Sequence, residues 1–243
     1  MSDDPPATGV RPRGYDLEVR HLKERASTMG DWALHMVHDG WRAFDECDLT
    51  AAQVVLDRDT ELDRMDDDME HATIAFLVLR QPAAVDLRTA AGLLKITTHL
   101  DRIGRLGFDM ARQTSDSSSQ SAPRVREILQ KMDDVVEGMV EQALEAMADD
   151  EVELARGLFI RDDDVDRMHR QATRTIVSEL TKHPDNAPRL SSQLLVARHF
   201  ERIADNACKI AEKTIYANTG QRRAEYLPRH PYRPYALETV RDT

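Results

Sequence analysis

The segment Arg58-Asp59-Thr60-Glu61-Leu62-Asp63-Arg64-Met65 returns as Arg161-Asp162-Asp163-Asp164-Val165-Asp166-Arg167-Met168, 103 residues later. A second segment, His99-Leu100-Asp101-Arg102-Ile103-Gly104, returns as His199-Phe200-Glu201-Arg202-Ile203-Ala204 at an offset of 100. Two separate matches at nearly one spacing indicate a duplicated unit of about a hundred residues, and whatever one copy builds the other builds again. No other feature constrains the fold as much.

Proline placement gives the layout of each copy. Prolines stand at 5, 6 and 12, then at 82, 123, 184 and 188, and finally at 228, 231 and 234. The stretches between are rich in Ala, Leu, Met, Arg and Glu, as helix interiors require, and they lack the residue that breaks a helix. Residues 113–123, QTSDSSSQSAP, have no helical period and mark an exposed linker. Asp48 and Thr50 offer an N-cap, so the first half is expected to form helices over about 16–46, 50–80 and 84–112. The second half repeats this over about 124–149, 151–182 and 188–217. Apolar residues recur at three and four, as in Leu93, Ile96, Leu100 and Ile103. Strand-like alternation is missing, and so is the hairpin dipeptide Asn-Gly. The expected fold is all-α, with six long helices forming two tandem, sequence-related three-helix bundles over 15–112 and 124–220. A disordered N-terminal tail (1–14), the linker (113–123) and a basic, aromatic C-terminal tail (221–243) complete the chain. That last tail carries Arg222, Arg223, Arg229, His230 and Arg233 among Tyr226, Tyr232 and Tyr235, and it is expected to dock loosely.

The overall balance sets limits on function. With 32% charged and 41% hydrophobic residues, the 243-residue chain is a soluble globular protein. A formal charge of -11 argues against nucleic acid, whose binders need a positive footprint, and favours cations or basic protein surfaces as partners. The acidic, Pro-rich N-terminus is unlike an export signal, and the longest apolar run, Ile74 to Leu79, is too short to span a bilayer. A cytoplasmic protein, peripheral to the membrane only through its partners, is expected. Cys47 and Cys208 fall among apolar neighbours and read as packing thiols.

Acidic pairs carry the chemistry. Asp59 and Asp63, Asp162 and Asp166, and Glu201 and Asp205 are each four apart, so each pair shares one helix face. Like charges at that spacing cost only about 0.2–0.5 kcal/mol on an exposed helix, so one pair alone says little. A hairpin fold about Pro82, however, sets Asp101 opposite Asp63. Folding about residue 185 brings Glu201 and Asp205 within a turn of Asp162 and Asp166. The resulting oxygen-rich clusters suit hard or borderline cations. The bland alternative is a solvated acidic face, as in Asp66-Asp67-Asp68.

The string Arg80-Gln81-Pro82-Ala83-Ala84-Val85-Asp86-Leu87-Arg88, followed by Leu100-Asp101-Arg102-Ile103-Gly104, resembles the pattern of the PhoU family. Phe200-Glu201-Arg202-Ile203-Ala204-Asp205-Asn206, then Tyr216 and Gly220, resembles the end of that family's second repeat, and the likeness runs over about 16–220. It implies paired three-helix bundles that carry divalent or trivalent cations (Fe, Mn, Mg or Zn), possibly multinuclear, on [ED]-x-x-x-D motifs. It also implies a non-enzymatic negative regulator of phosphate homeostasis, acting on a phosphate ABC-transporter ATPase and a phosphate-sensing histidine kinase, and a homodimer. Carried over by residue, the motif gives Asp162, Asp166, Glu201 and Asp205 in the second repeat, the preferred site. In the first it gives Asp59, Asp63 and Asp101, but Arg105 stands where the pattern has aspartate. The first site is therefore weakened or lost, with Asp109, one turn on, as a candidate contributor.

Other readings are weaker. Asp166-x-x-His169 matches half of a ferritin-like di-iron motif, but Asp66 replaces the corresponding histidine of the first repeat. A scaffold of the same fold serving another transporter or a transcription factor is the remaining alternative. His35, His38, His99 and His199 read as structural or surface residues, Asp86 as a first-turn acid, and Arg88 as a candidate part of a partner surface. No nucleophile elbow, phosphate-binding glycine loop or paired-cysteine motif is present.

Overall fold

A computed structural model describes residues 13–115 and 122–226. Most of the linker and of both expected tails lies outside these residues. Eight α-helices follow in order: α1 (Arg13–Glu46), α2 (Leu49–Asp57), α3 (Asp59–Arg80), α4 (Ala84–Arg112), α5 (Pro123–Asp149), α6 (Val152–Lys182), α7 (Ala187–Thr219) and the short α8 (Arg223–Tyr226). No strand occurs among the described residues, and the all-α expectation holds.

Local chemistry explains the boundaries. The Asp48 carboxylate accepts the amides of Thr50 and Ala51 at 2.9 and 3.0 Å and so starts α2. Gln81 closes α3 in the left-handed conformation (φ 47°), one residue before Pro82, which cannot continue a helix. The duplication extends to the backbone, since α1 ends on Cys47 at φ 58° and α5 on Asp150 at φ 60°, 103 residues apart. Gly220 closes α7 at φ 73°. There the Arg88 Nε donates to the Ala217 carbonyl at 3.2 Å, so a residue from the start of α4 caps the end of α7.

One departure concerns the helix expected over 50–80. It is two helices that meet at Arg58, whose Nη1 binds Asp39 at 2.6 Å. The equivalent Arg161 lies inside an unbroken α6, where its guanidinium donates to the carbonyls of Gly138 and Val135 and to Gln142.

Each unit buries the apolar stripe of its helices, and the two stripes merge. α4 lies along both α1 and α7, and α5 contacts both α1 and α7. Leu100, Ile103, Phe200 and Ile203, from the two copies of the second repeated segment, are fully buried in one core. Trp41 of the first unit meets Phe200 of the second edge-on at 5.5 Å. Arg189 is buried with its guanidinium 4.0 Å from the Phe44 ring and a bond to the Phe44 carbonyl. Between α1 and α4 the backbones nearly touch, because a Cβ on Gly107 would stand 2.5 Å from the Met36 carbonyl group. α8 turns back onto the second unit, with the Tyr226 ring 6.0 Å from Phe159, so the first residues of the expected loose tail are docked.

Candidate functional site

The two acidic clusters lie where the hairpins α3–α4 and α6–α7 bring the repeated segments side by side, but they are built differently. In the first, Arg105 on α4 reaches across to α3. Its Nε binds Asp101 at 3.0 Å, its Nη2 pairs with Asp63, and its Nη1 lies 3.5 Å from Asp59 Oδ1, a charge contact that leaves this buried oxygen without a hydrogen bond. One guanidinium thus serves three carboxylates and joins two helices. Burial raises the Asp101 carboxyl, and the Arg105 charge opposes that rise without cancelling it. Burial would also depress Arg105, yet the attraction of Asp101, Asp59 and Asp63 outweighs it and holds the guanidinium charged. Asp59 also opens α3, where the free backbone amides favour a carboxylate. Asp109 does not join this cluster; it pairs with Arg112 and acts on His199 of α7.

The second cluster has no such bridge. Asp162 on α6 is pushed up to about 7, first by burial and then by Asp205, Asp166 and Asp163. Burial raises Glu201 and Asp205 as well, with Asp166 adding to both. The four carboxylates therefore sense one another across α6 and α7. Their cations are local: Arg198 pairs with Glu201 at 2.5 Å and Arg170 with Asp166 at 3.5 Å, each along a single helix. Glu201 Oε2 is buried without a hydrogen-bond partner. Arg223, from the start of α8, lowers Asp162 and Asp205 only as a minor influence.

This donor set fits a hard or borderline cation in its chemistry: all-oxygen, part-buried and short of counter-charge. As the side chains stand, no three acidic, histidine or cysteine groups among the described residues converge on a single point, so shared ligation would require carboxylate rotation. The first cluster does not fit a cation, because a guanidinium fills the gap.

Two of the other singled-out histidines have hydrogen-bond partners, whereas the buried His199 Nδ1 has none. His99 Nδ1 meets Asn206 Oδ1 at 2.9 Å across the α4–α7 contact, and His38 Nδ1 meets Glu137 at 2.8 Å. His169 and His199 are buried, and burial lowers both. Cys208 is buried and its thiol is pushed well up, whereas Cys47 is half-buried, and neither forms a disulfide. Sequence reasoning missed Asp133, a buried carboxyl on α5 pushed up to about 8, since nothing in an acidic helix distinguishes it from its solvated neighbours.

Comparison with known proteins agrees with this architecture. The family model described as "PhoU domain" matches twice, over residues 26–114 and 129–214. The phosphate-specific transport system accessory protein PhoU homolog of Rhizobium meliloti (strain 1021) is 31% identical over 207 residues, 85% of this chain and 87% of that protein. The crystal structure of PhoU from Pseudomonas aeruginosa superposes with a TM-score of 0.78 at 29% identity, covering 85% of this chain and 100% of that one. The phosphate transport system regulatory protein PhoU from Streptococcus pneumoniae shares the fold at a TM-score of 0.79 and 22% identity, over 85% and 98% of the two chains.

Proposed function

The chain belongs to the PhoU family, and from that premise we propose that it is a non-enzymatic cytoplasmic regulator that restrains phosphate uptake and phosphate-starvation signalling. The observation that carries this reading is the family domain, matched once in each half of the chain. The relatives' names place those proteins with the phosphate-specific transport system, as an accessory. The partners of this chain are then a phosphate ABC-transporter ATPase and a phosphate-sensing histidine kinase, engaged by a homodimer. The absence of a helix long and apolar enough to cross a membrane, among the described residues, suits a protein that reaches the membrane through them.

The second cluster is the metal-binding part of the proposal. Asp162 and Asp166 from α6 and Glu201 and Asp205 from α7 would hold the cation (iron, manganese, magnesium or zinc). When bound, it would offset much of the charge of the four carboxylates and join the two helices. The fit rests on the raised Asp162 and the orphaned Glu201 oxygen. A cation bound at about 100 times its dissociation constant adds ~2.7 kcal/mol to stability, enough to read as a rise in melting temperature. The D162N/D166N/E201Q/D205N variant should lose that rise. A rise equal to that of the wild type would remove these residues as ligands.

The regulatory role is tested in cells. Deleting the gene should raise phosphate uptake and switch on phosphate-starvation genes in phosphate-replete medium, and tagged protein from such cells should retain the transporter ATPase or the kinase. Unchanged uptake and unchanged starvation genes would refute the role.

A further inference from the structure

We propose that Arg105 is a built-in cation that replaces metal in the first unit, so that metal can act on only one half of the molecule. The inference rests on the reading above that acidic clusters in this fold accept cations. It goes further by assigning the two halves different mechanical roles.

The argument begins with register. Asp59 and Asp63 correspond to Asp162 and Asp166 at the offset of 103, and Asp101 and Arg105 to Glu201 and Asp205 at the offset of 100. Three of the four positions keep a carboxylate in both units, and the fourth reverses its charge. The Arg105 side chain is half-exposed, yet it does not simply extend into water. Instead it lies across the hairpin, with its Nε on Asp101, its Nη2 on Asp63 and its Nη1 within 3.5 Å of Asp59. A planar guanidinium offers several donors in a fixed fork, so one side chain can answer several carboxylate oxygens at once, much as an ion would.

The second unit supplies the contrast. Its carboxylates pair with Arg170 and Arg198 along single helices, and among the described residues no ion pair joins α6 to α7. The α3–α4 hairpin thus carries its own cross-helix cation, whereas the α6–α7 hairpin carries none among the described residues. Metal supply would tighten α6 against α7 and its withdrawal would loosen them, leaving α3 against α4 unchanged. The first unit is a constant frame and the second is the responsive part.

Manganese(II) binding to the full chain, counted by the loss of the free-ion EPR signal, tests this. The D59N/D63N/D101N variant should bind as many equivalents as the wild type. R105D should bind more, because it restores the fourth carboxylate and removes the guanidinium, and R105K, which keeps a cation, should not. In the D162N/D166N/E201Q/D205N background, R105D should restore uptake that the background has lost. A fall in uptake by D59N/D63N/D101N overturns the proposal. So does a failure of both R105D and R105N, each checked for helix content by circular dichroism, to gain any manganese. If the wild type itself binds none, the reading of the second cluster falls, while a gain or no gain in R105D still decides the role of Arg105.

Discussion

Asp133 shows what burial does to a single side chain. It is 4% exposed, its Oδ1 has no hydrogen-bond partner, and Gln130 donates to the other oxygen at 3.3 Å. Burial, with Glu137 and Asp134 nearby, pushes it up to about 8, so the folded protein keeps a proton that the unfolded chain releases near pH 4. The Asp133 contribution is therefore fully present below the unfolded value. It is lost progressively as pH rises towards 8 and is constant beyond. Replacing it with asparagine keeps the shape and removes the charge. Asp133→Asn should be more stable than the wild type by roughly 2–4 kcal/mol at pH 8, with little difference at pH 4, in urea titrations at both values. An unchanged difference between the two pH values would show that the carboxyl ionises freely in the fold. His99, His169 and His199 act in the opposite direction, since burial lowers all three. The unfolded chain takes their protons first as pH falls below about 6.5, and the native state weakens on that side.

At the level of elements, much was legible because helix boundaries are local chemistry. Pro82, Pro123 and the Asp48 cap mark α2, α3 and α5 to within a residue or two, and the three-four spacing of Leu93, Ile96, Leu100 and Ile103 marks the buried face of α4. The break at Arg58 was not legible. Val54-Val55-Leu56-Asp57-Arg58-Asp59 contains no glycine or proline, and the matching stretch of α6 runs straight through. What differs is tertiary: Arg58 turns to Asp39, while Arg161 inserts against α5 carbonyls. Of the site, the four acidic positions and the odd Arg105 were legible from the repeat. That one guanidinium reaches all three carboxylates depends on the spacing between two helices, which sequence does not carry. Two substitutions test the element-scale account. Asp48→Ala removes the α2 cap and should cost about 1 kcal/mol. Gly107→Ala should cost about 1–3 kcal/mol or more, because its methyl would stand 2.5 Å from Met36 and force α1 from α4. Gly92 is the control: its added Cβ would meet nothing nearer than 3.7 Å, so Gly92→Ala should gain ~0.5–1 kcal/mol from helix propensity. Equal effects at the two glycines, in denaturant midpoints, would contradict the close approach.

For the whole molecule, duplication suggests two independent bundles, yet the packing joins them. Periodicity shows that a face is buried and not what covers it, so the α4–α7 contact could not be read in advance. Trp41 against Phe200, Arg189 against Phe44 and His99 against Asn206 all cross between units. A cavity on one side of such a shared core should weaken both sides, because neither unit can keep its stripe covered once the other unfolds. Ile176→Ala, a buried site on α6, offers the test and should cost about 2–5 kcal/mol. Two reporters divide the molecule. Trp32 and Trp41 are its only tryptophans and both lie on α1, while the buried Cys208 thiol reports on α7. In a Cys47→Ser background, which leaves Cys208 as the sole thiol, tryptophan fluorescence and thiol reactivity should follow one denaturation curve. In Ile176→Ala both should move to lower denaturant by the same amount. If the thiol becomes reactive while the tryptophan signal keeps its wild-type midpoint, the units unfold separately. Coincident curves would mean that a change at the α6–α7 hairpin has a physical route, through α7 and α4, to the half of the molecule held by Arg105.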